Sequence, residues 1–175
     1  YDYISFAKAL DSKNGVLGIS IVRLGIDNIL NTTQMIDSEG NIDYDKITKF
    51  STSDYAGIIS YAFHPGGKQK LSVGVNAKIV YRNIGKFANG FGFGFDLGAI
   101  YKTDSGYQLG AMLRDATTTV NFWTINQKEL SAVVNGEEFN PAPKDKMEIT
   151  MPKLNMGISK NFELNRDLEF LPEAG

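Results

Sequence analysis

Polar and apolar positions alternate with period two along much of the chain, most cleanly in two neighbouring segments. In KLSVGVNAKIVYR, Leu71, Val73, Val75, Ala77, Ile79 and Tyr81 share one face, while Ser72, Gly74, Asn76, Lys78 and Arg82 share the other. Val80 is the exception. In GFGFGFDLGAIY the same spacing sets Phe91, Phe93, Phe95, Leu97, Ala99 and Tyr101 against Gly92, Gly94, Asp96, Gly98 and Ile100. Successive side chains of a strand point to opposite sides of a sheet. A helix would scatter these aromatics around its circumference, so the pattern predicts strands. A third segment, GYQLGAMLRD, opposes Tyr107, Leu109, Ala111 and Leu113 to Gln108, Gly110, Met112 and Arg114. Each strand has one greasy face and one face of small or polar residues.

The same reading predicts strands near 1–10, 15–25, 53–63, 70–82, 90–101, 106–114 and 151–160. A weaker eighth lies near 167–175, where Pro172 disfavours pairing. No stretch combines helical periodicity with caps. The predicted fold class is therefore all-β and antiparallel. Connections then choose between architectures. DSKNG, HPGGKQ and KTDSG are short and rich in turn formers; 26–52, NIGKFANG and 115–150 are longer. Short and long connections alternate, as they do in up-and-down transmembrane β-barrels with tight periplasmic turns and long outer loops. From Leu71 to Tyr81, a rise of about 3.3 Å per residue and a tilt near 40° span roughly 25 Å, the height of a lipid-facing band.

In that architecture Leu71, Val73, Val75, Ile79, Phe91, Phe93, Phe95, Leu97, Leu109 and Leu113 face lipid, and Asn76, Lys78, Arg82, Asp96, Gln108 and Arg114 face the lumen. Lys78, Arg82 and Arg114 are the candidate partners of Asp96. Phe63, Tyr101 and Tyr107 fall at the lower interface and Tyr81 and Phe91 at the upper, levels that suit amphipathic rings. The competing architecture is a soluble or fibrous β-protein with the phenylalanines packed inward, in which GFGFGF would be an aggregation-prone strand.

Composition narrows the function. The net charge of -2 offers no basic footprint, so nucleic acid is not expected as a partner. There is no cysteine, which removes disulfides and thiolate metal sites. Arg23 interrupts the best apolar run, GVLGISIVRLGI, so no transmembrane helix is predicted. No signal peptide is visible at Tyr1, and the chain opens inside a strand without an initiating Met; we read it as a mature or partial chain, a single and incomplete barrel domain over 1–175.

Chemistry is sparse. His64 is the single histidine and sits in the turn HPGG, a poor place for a metal cluster or a catalytic triad. The glycines at 90, 92, 94 and 98 lack dinucleotide-binding spacing. The acidic stretch DSEGNIDYDK places Asp37, Glu39, Asn41, Asp43 and Asp45 at alternate positions, without the glycine and closing glutamate of an EF-hand loop. NTT at Asn31 is a glycosylation sequon by composition only. No catalytic residue, metal or cofactor is expected.

The segments YAGIISYAF, KLSVGVNAKIVYRNIG, GFGFDLGAIYKTDSGYQLGAMLRD and MPKLNMGISKNF resemble the PorV/PorQ family of outer-membrane barrels, over roughly residues 15 to 160. The resemblance lies in strand pattern, and its most distinctive piece is SVGVNAKIVY followed by GFGFDLGAIY. It implies a FadL-like fold, part of a larger barrel of about fourteen strands. It also implies a bacterial outer-membrane location and a non-enzymatic role in the type IX secretion system of Bacteroidetes: docking or shuttling secreted cargo, or attaching to the translocon. A related implication is a FadL-like channel for hydrophobic small molecules, although the inward faces read as small and polar. LRDATTTVNFW departs from the short turn common in relatives. Outward loops 26–52 and 115–150 would then carry partner contacts, with Phe122, Trp123 and Phe139 as possible anchors, since aromatics dominate binding hot spots.

Overall fold

The computed structural model describes residues 1–10, 15–37, 39–67, 70–130, 132–134, 137–139, 147–165, 168–170 and 172–174. The chain is all-β and antiparallel. Its first five strands are β1 (Asp2–Ala9), β2 (Val16–Asn31), β3 (Thr48–Phe63), β4 (Leu71–Ile84) and β5 (Ala88–Lys102). Each is hydrogen-bonded to the next in an antiparallel meander. Then come β6 (Tyr107–Arg114), β7 (Thr119–Ile125), the short hairpin of β8 (Ala132–Val134) with β9 (Glu137–Phe139), β10 (Met147–Thr150) and β11 (Lys153–Lys160). The last three are β12 (Phe162–Asn165) paired with β13 (Leu168–Phe170), and β14 (Glu173–Ala174), which pairs with β11. Among the described residues the main sheet is open, with β1 paired only to β2.

Four expectations about strand extents and connections need correcting. The second and third strands do not stop at the edges of a 26–52 loop: β2 runs on to Asn31 and β3 begins at Thr48. Their pairing shifts register between Ile26 and Ile29, where Asn28 takes φ 60. Asn is one of the few residues that accept this left-handed backbone, and the extra residues break the period-two signal at that point. The connection after β4 is not long. Asn83 faces Asn89 and Ile84 faces Ala88, so only Gly85, Lys86 and Phe87 turn the chain, with Gly85 at φ 48. Its polar composition hid a tight hairpin, and the expected alternation of short and long connections fails there.

The third correction concerns 115–150, which is not a single loop. β6 pairs with the lower half of β5, and β7 with its upper half. Leu97 faces Leu113 and Phe93 faces Val120, so four positions on β5 span seven on the neighbouring strand. β6 and β7 are thus one long strand with a three-residue insertion at the turn 115–118. β10 and β11 flank it in the same way, β10 along β7 and β11 along β6. The true connection is 126–146. The predicted eighth strand also divides, into β13 against β12 and β14 against β11.

Register carries the alternating pattern from strand to strand. Val75 faces Leu97, Ala77 faces Phe95, Ile79 faces Phe93, and Tyr81 faces Phe91. The same face continues through Ile59, Ile19 and Phe6 on one side and through Phe122, Leu113 and Leu154 on the other. This face is the exposed one: Phe93 is 48% exposed, whereas Asp96 on the opposite side is 6% exposed. Among the described residues the one buried large hydrophobic is Phe87, edge-on to Phe50 with ring centroids 5.0 Å apart. The remaining buried side chains are polar: Asn31, Asp96, Asp115, Thr119 and Asn121. Greasy residues outside and charges inside is the reverse of a soluble domain.

The glycines of β5 now have a cause. A Cβ at Gly92 would lie 1.9 Å from Asn121 Oδ1 and 2.9 Å from the Val120 carbonyl oxygen; one at Gly94 would lie 1.9 Å from Thr119 Oγ1. Side chains of β7 fold across this bare floor. Gly57, on the exposed face of β3, has nothing within 4 Å of an added Cβ. Gly92→Ala is therefore expected to cost about 1–3 kcal/mol by overpacking, and Gly57→Ala close to nothing, read as shifts in urea unfolding followed by the fluorescence of Trp123, the single tryptophan.

Candidate functional site

The sheltered face has two layers. In the upper layer, β4 contributes Lys78 and Arg82, which stand opposite Gly94 and Gly90 of β5. Because glycine offers no side chain there, both cations reach over β5 to the strand beyond. Lys78 Nζ lies 2.8 Å from Asp96 Oδ1 and 2.5 Å from Asp115 Oδ1. The Asp115 backbone N–H donates to Asp96 Oδ1 at 2.9 Å, and the Thr119 hydroxyl donates to Asp115 Oδ1. One ammonium thus serves one carboxylate on β5 and one on the turn after β6, and all three side chains are largely removed from solvent.

Asp115 reaches this position through an unusual turn. It has φ 54, and Thr118 has φ 64. A β-branched residue in the left-handed region is a strained choice. The turn is closed by Thr118 N–H donating to the Asp115 carbonyl at 2.7 Å and anchored by Ala116 N–H donating to the Phe95 carbonyl at 2.8 Å. The inserted residues aim Asp115 inward, where an uninterrupted strand would have kept strict alternation.

Above it, Arg82 Nε donates to Asp54 Oδ2 and Arg82 Nη1 to Glu148 Oε2, both at 3.3 Å. The guanidinium sits 5.2 Å from the ring centroid of Trp123, and Trp123 Nε1 donates to Glu148 Oε2 at 3.0 Å. This second cluster ties β3, β4, β7 and β10 together across Gly90. Two cations meet four carboxylates in the upper layer, so its fixed charge is acidic.

The lower layer is different. Gly74 faces Gly98, Ile100 faces Gly110, and Gly110 faces Gly157. With Ala62 and Met112 they border an open groove of about 410 Å³ whose walls are almost wholly apolar. The inward face is made largely of small and polar residues in both halves, but the lower half is less polar. Ile100 and Met112, two apolar residues on an otherwise polar parity, account for the difference.

Of the residues expected on the greasy face, Val75, Ile79, Phe91, Phe93, Phe95, Leu97 and Leu109 are exposed, while Leu71, Val73 and Leu113 are half-buried. On the other face Asp96 is buried, Asn76, Lys78, Arg82 and Gln108 are half-buried, and Arg114 is exposed at the end of β6. Lys78 is the ion-pair partner of Asp96; Arg82 is engaged by Asp54 and Glu148 instead. Phe122 and Trp123 belong to strand β7 rather than to a loop, and they point to opposite faces: Phe122 beside Phe91, Trp123 over Gly90. Phe139 closes β9, opposite Ala132. Asp54, Asp115, Thr119, Asn121 and Glu148 were not foreseen. The alternation of Thr119, Asn121 and Trp123 with Val120 and Phe122 was the signal available for β7.

Outside the sheet, Asp37 Oδ1 accepts the backbone N–H groups of Glu39 and Asn41, at 2.9 and 2.8 Å. The bond from Asn41 foremost holds this carboxyl below its usual range. Asp43 Oδ1 accepts the Asp45 N–H at 3.0 Å. These carboxylates shape the 32–47 connection, and among the described residues no group of three or more His, Cys, Asp or Glu is arranged to hold a metal. His64 Nδ1 lies 3.1 Å from the Leu71 carbonyl oxygen and 3.2 Å from the Ser72 hydroxyl, tying the turn to the start of β4.

Lys78→Met strands two sheltered carboxylates, an expected loss of about 3–5 kcal/mol. The combined Lys78→Met, Asp96→Asn, Asp115→Asn variant removes the charges with their partner and is expected to recover a large part of that loss in the same urea titration. Failure of the triple variant to regain stability would mean that packing, not charge pairing, holds the turn.

Comparison of the chain with protein-family models, with curated proteins and with solved structures finds no match.

Proposed function

We propose that this chain forms part of an outer-membrane β-barrel, seated in the bilayer with its phenylalanine face toward lipid. On this reading it acts without catalysis in protein secretion, docking or shuttling type IX cargo or attaching to the translocon. The observation that carries the membrane reading is the inverted polarity of the sheet. Phe91, Phe93, Phe95, Leu97 and Ile79 are exposed together while Lys78, Asp96, Asp115 and Thr119 are sheltered. Exposed apolar area on this scale is a liability in water. In hydrocarbon it needs no protein cover, and a polar inner face is what barrels of this kind carry.

The edges of the apolar band add support. Tyr55 and Tyr81 lie side by side with ring centroids 6.4 Å apart, in register with Phe91 and Phe122. Arg23, held by Asp2 at 2.9 Å, stands 6.0 Å from the Tyr55 ring centroid. Aromatic rings with a charged neighbour suit the level where acyl chains meet headgroups. The role in secretion draws on the resemblance to PorV/PorQ barrels. The ends of β2 and β7 leave the same side of the sheet, and on this reading the connections that follow them are the surfaces offered to partners.

A second reading, a FadL-like channel for hydrophobic small molecules, is favoured by one feature: the apolar groove over Gly74, Gly98 and Gly110. In the docking reading that groove is incidental.

In lipid vesicles, Phe93→Arg and Val75→Lys are each expected to lower unfolding free energy by about 2–4 kcal/mol, and Asn76→Lys by less than about 1 kcal/mol. Similar losses for all three would sink the assignment of faces. Deleting 126–146 is expected to abolish capture of secreted proteins from outer-membrane extracts while leaving uptake of a fluorescent fatty acid unchanged. Loss of fatty-acid uptake in Gly98→Leu, with capture intact, would instead establish the channel.

A further inference from the structure

The cluster around Lys78 holds the parts for a covalent bond as well as for an ion pair. Lys78 Nζ lies 2.5 Å from Asp115 Oδ1 and 2.8 Å from Asp96 Oδ1. A nitrogen that close to a carboxyl oxygen is roughly 3–3.5 Å from the carboxyl carbon, the separation of atoms placed to react. The Thr119 hydroxyl donates to the same Asp115 oxygen and polarises that carboxyl. Asp96 stands on the other side of the ammonium, its Oδ1 held by the Asp115 backbone N–H at 2.9 Å. An amine, a polarised carboxyl and a fixed proton acceptor therefore meet from β4, the turn after β6, and β5. Asp96, Asp115 and Thr119 are 6%, 7% and 4% exposed. Little water reaches them to solvate the charges or to hydrolyse a product.

We propose that Lys78 and Asp115 condense to an intramolecular amide, with Asp96 as the catalytic base. Asp96 takes a proton from the Lys78 ammonium, and the freed amine attacks Asp115 Cγ while Thr119 holds the charge that develops on Oδ1. The Nζ–Cγ bond forms and the Cγ–Oδ2 bond breaks. That oxygen leaves as water with two of the ammonium protons, one of them returned by Asp96; the third stays as the amide N–H. Ammonium and carboxylate charges cancel, Asp96 is regenerated, and no oxidant or cofactor takes part. Electrostatics favour the product. A sheltered ion pair carries the desolvation cost of two charges, and a neutral amide relieves both. The bond would tie β4 to the β6–β7 turn across β5. It would brace a chain that has no cysteine for a disulfide and, among the described residues, buries one large hydrophobic side chain. Its chemistry is separate from any role in secretion and is the same whether the opposite face meets lipid or water.

Peptide mass reads the bond directly. The protein is extracted in detergent from the cells that make it, denatured, and digested with trypsin. Without the bond, cleavage after Lys78 releases LSVGVNAK and IVYR, and DATTTVNFWTINQK appears free. With it, trypsin cannot cut at Lys78, and LSVGVNAKIVYR is recovered joined to DATTTVNFWTINQK at their summed mass less that of a water molecule. The joined species is expected from most molecules. Lys78→Arg keeps the cation and is expected to abolish it. Asp96→Asn is expected to slow its appearance after pulse labelling by about a hundredfold or more. Brief proteolysis before denaturation checks that each variant has folded. Free LSVGVNAK and DATTTVNFWTINQK in full yield from the folded wild-type protein overturn the proposal, whatever the variants do. Joining to FANGFGFGFDLGAIYK instead overturns the choice of Asp115, and joining at the wild-type rate in Asp96→Asn overturns the role of Asp96.

Discussion

Lys78 shared between Asp96 and Asp115 is the interaction on which the arrangement of the upper sheet depends. Among the described residues Phe87 is the one buried large hydrophobic, so no extended apolar cluster does the work of a core there. The backbone ladders hold neighbouring strands together, but they do not by themselves decide where a strand steps from one half of its neighbour to the other. That step occurs at 115–118, and it is fixed by a charge. The ammonium of β4 reaches past β5 to the carboxylate that the turn carries. A buried ion pair is costly to form and costlier to leave half-made, so it is better suited to selecting one register than to adding stability.

The glycines of β5 and the charges of β4 and β7 form one device. Gly94 lets Lys78 pass, Gly92 receives Asn121, and Gly90 lies under Trp123 and beside Arg82. A side chain at any of these positions would push β7 away from the floor and separate Lys78 from Asp115. The phenylalanines between them need no such room, because they leave on the other side. This is why large and absent side chains alternate so strictly in GFGFGF, and why the alternation relaxes after Asp96. Below that point the facing residues are Gly110 and Gly157, which fill nothing, and a groove opens.

Strand identity and the two-faced character of β4, β5 and β6 were legible because their alternation is uninterrupted. What escaped the sequence reading is whatever departs from period two. Asn28 and the 115–118 turn insert residues with positive φ, and beyond each the pattern changes parity, so period two alone ends β2 early and does not reveal β7. The β4–β5 turn looks long in one dimension because Asn83 and Asn89, polar residues that pair across the hairpin, resemble loop residues. Lys78 and Asp96 could be picked out from their strands. Asp115 and Glu148 could not, because their roles depend on which strand lies next to which, a long-range property that local pattern does not encode.

These irregularities share a consequence. The Asn28 insertion lies near the side of the sheet from which β2 leaves for β3 and β7 ends, the 115–118 insertion lies at mid-height opposite 94–96, and the turn at 103–106 on the other side is tight. A strand that only crosses a bilayer needs about ten residues, and β2 and β3 have sixteen each. In β2 and β3 the additional length lies at the end carrying the Asn28 shift, beyond Ile26 and Thr52. In the proposed outer-membrane setting it lifts the rim clear of the headgroups, with Arg82, Trp123 and Glu148 bracing it from within. The strain at Thr118 and the acidic excess behind it are then consequences of building a raised platform out of a sheet whose phenylalanines along β5 are committed to the outside.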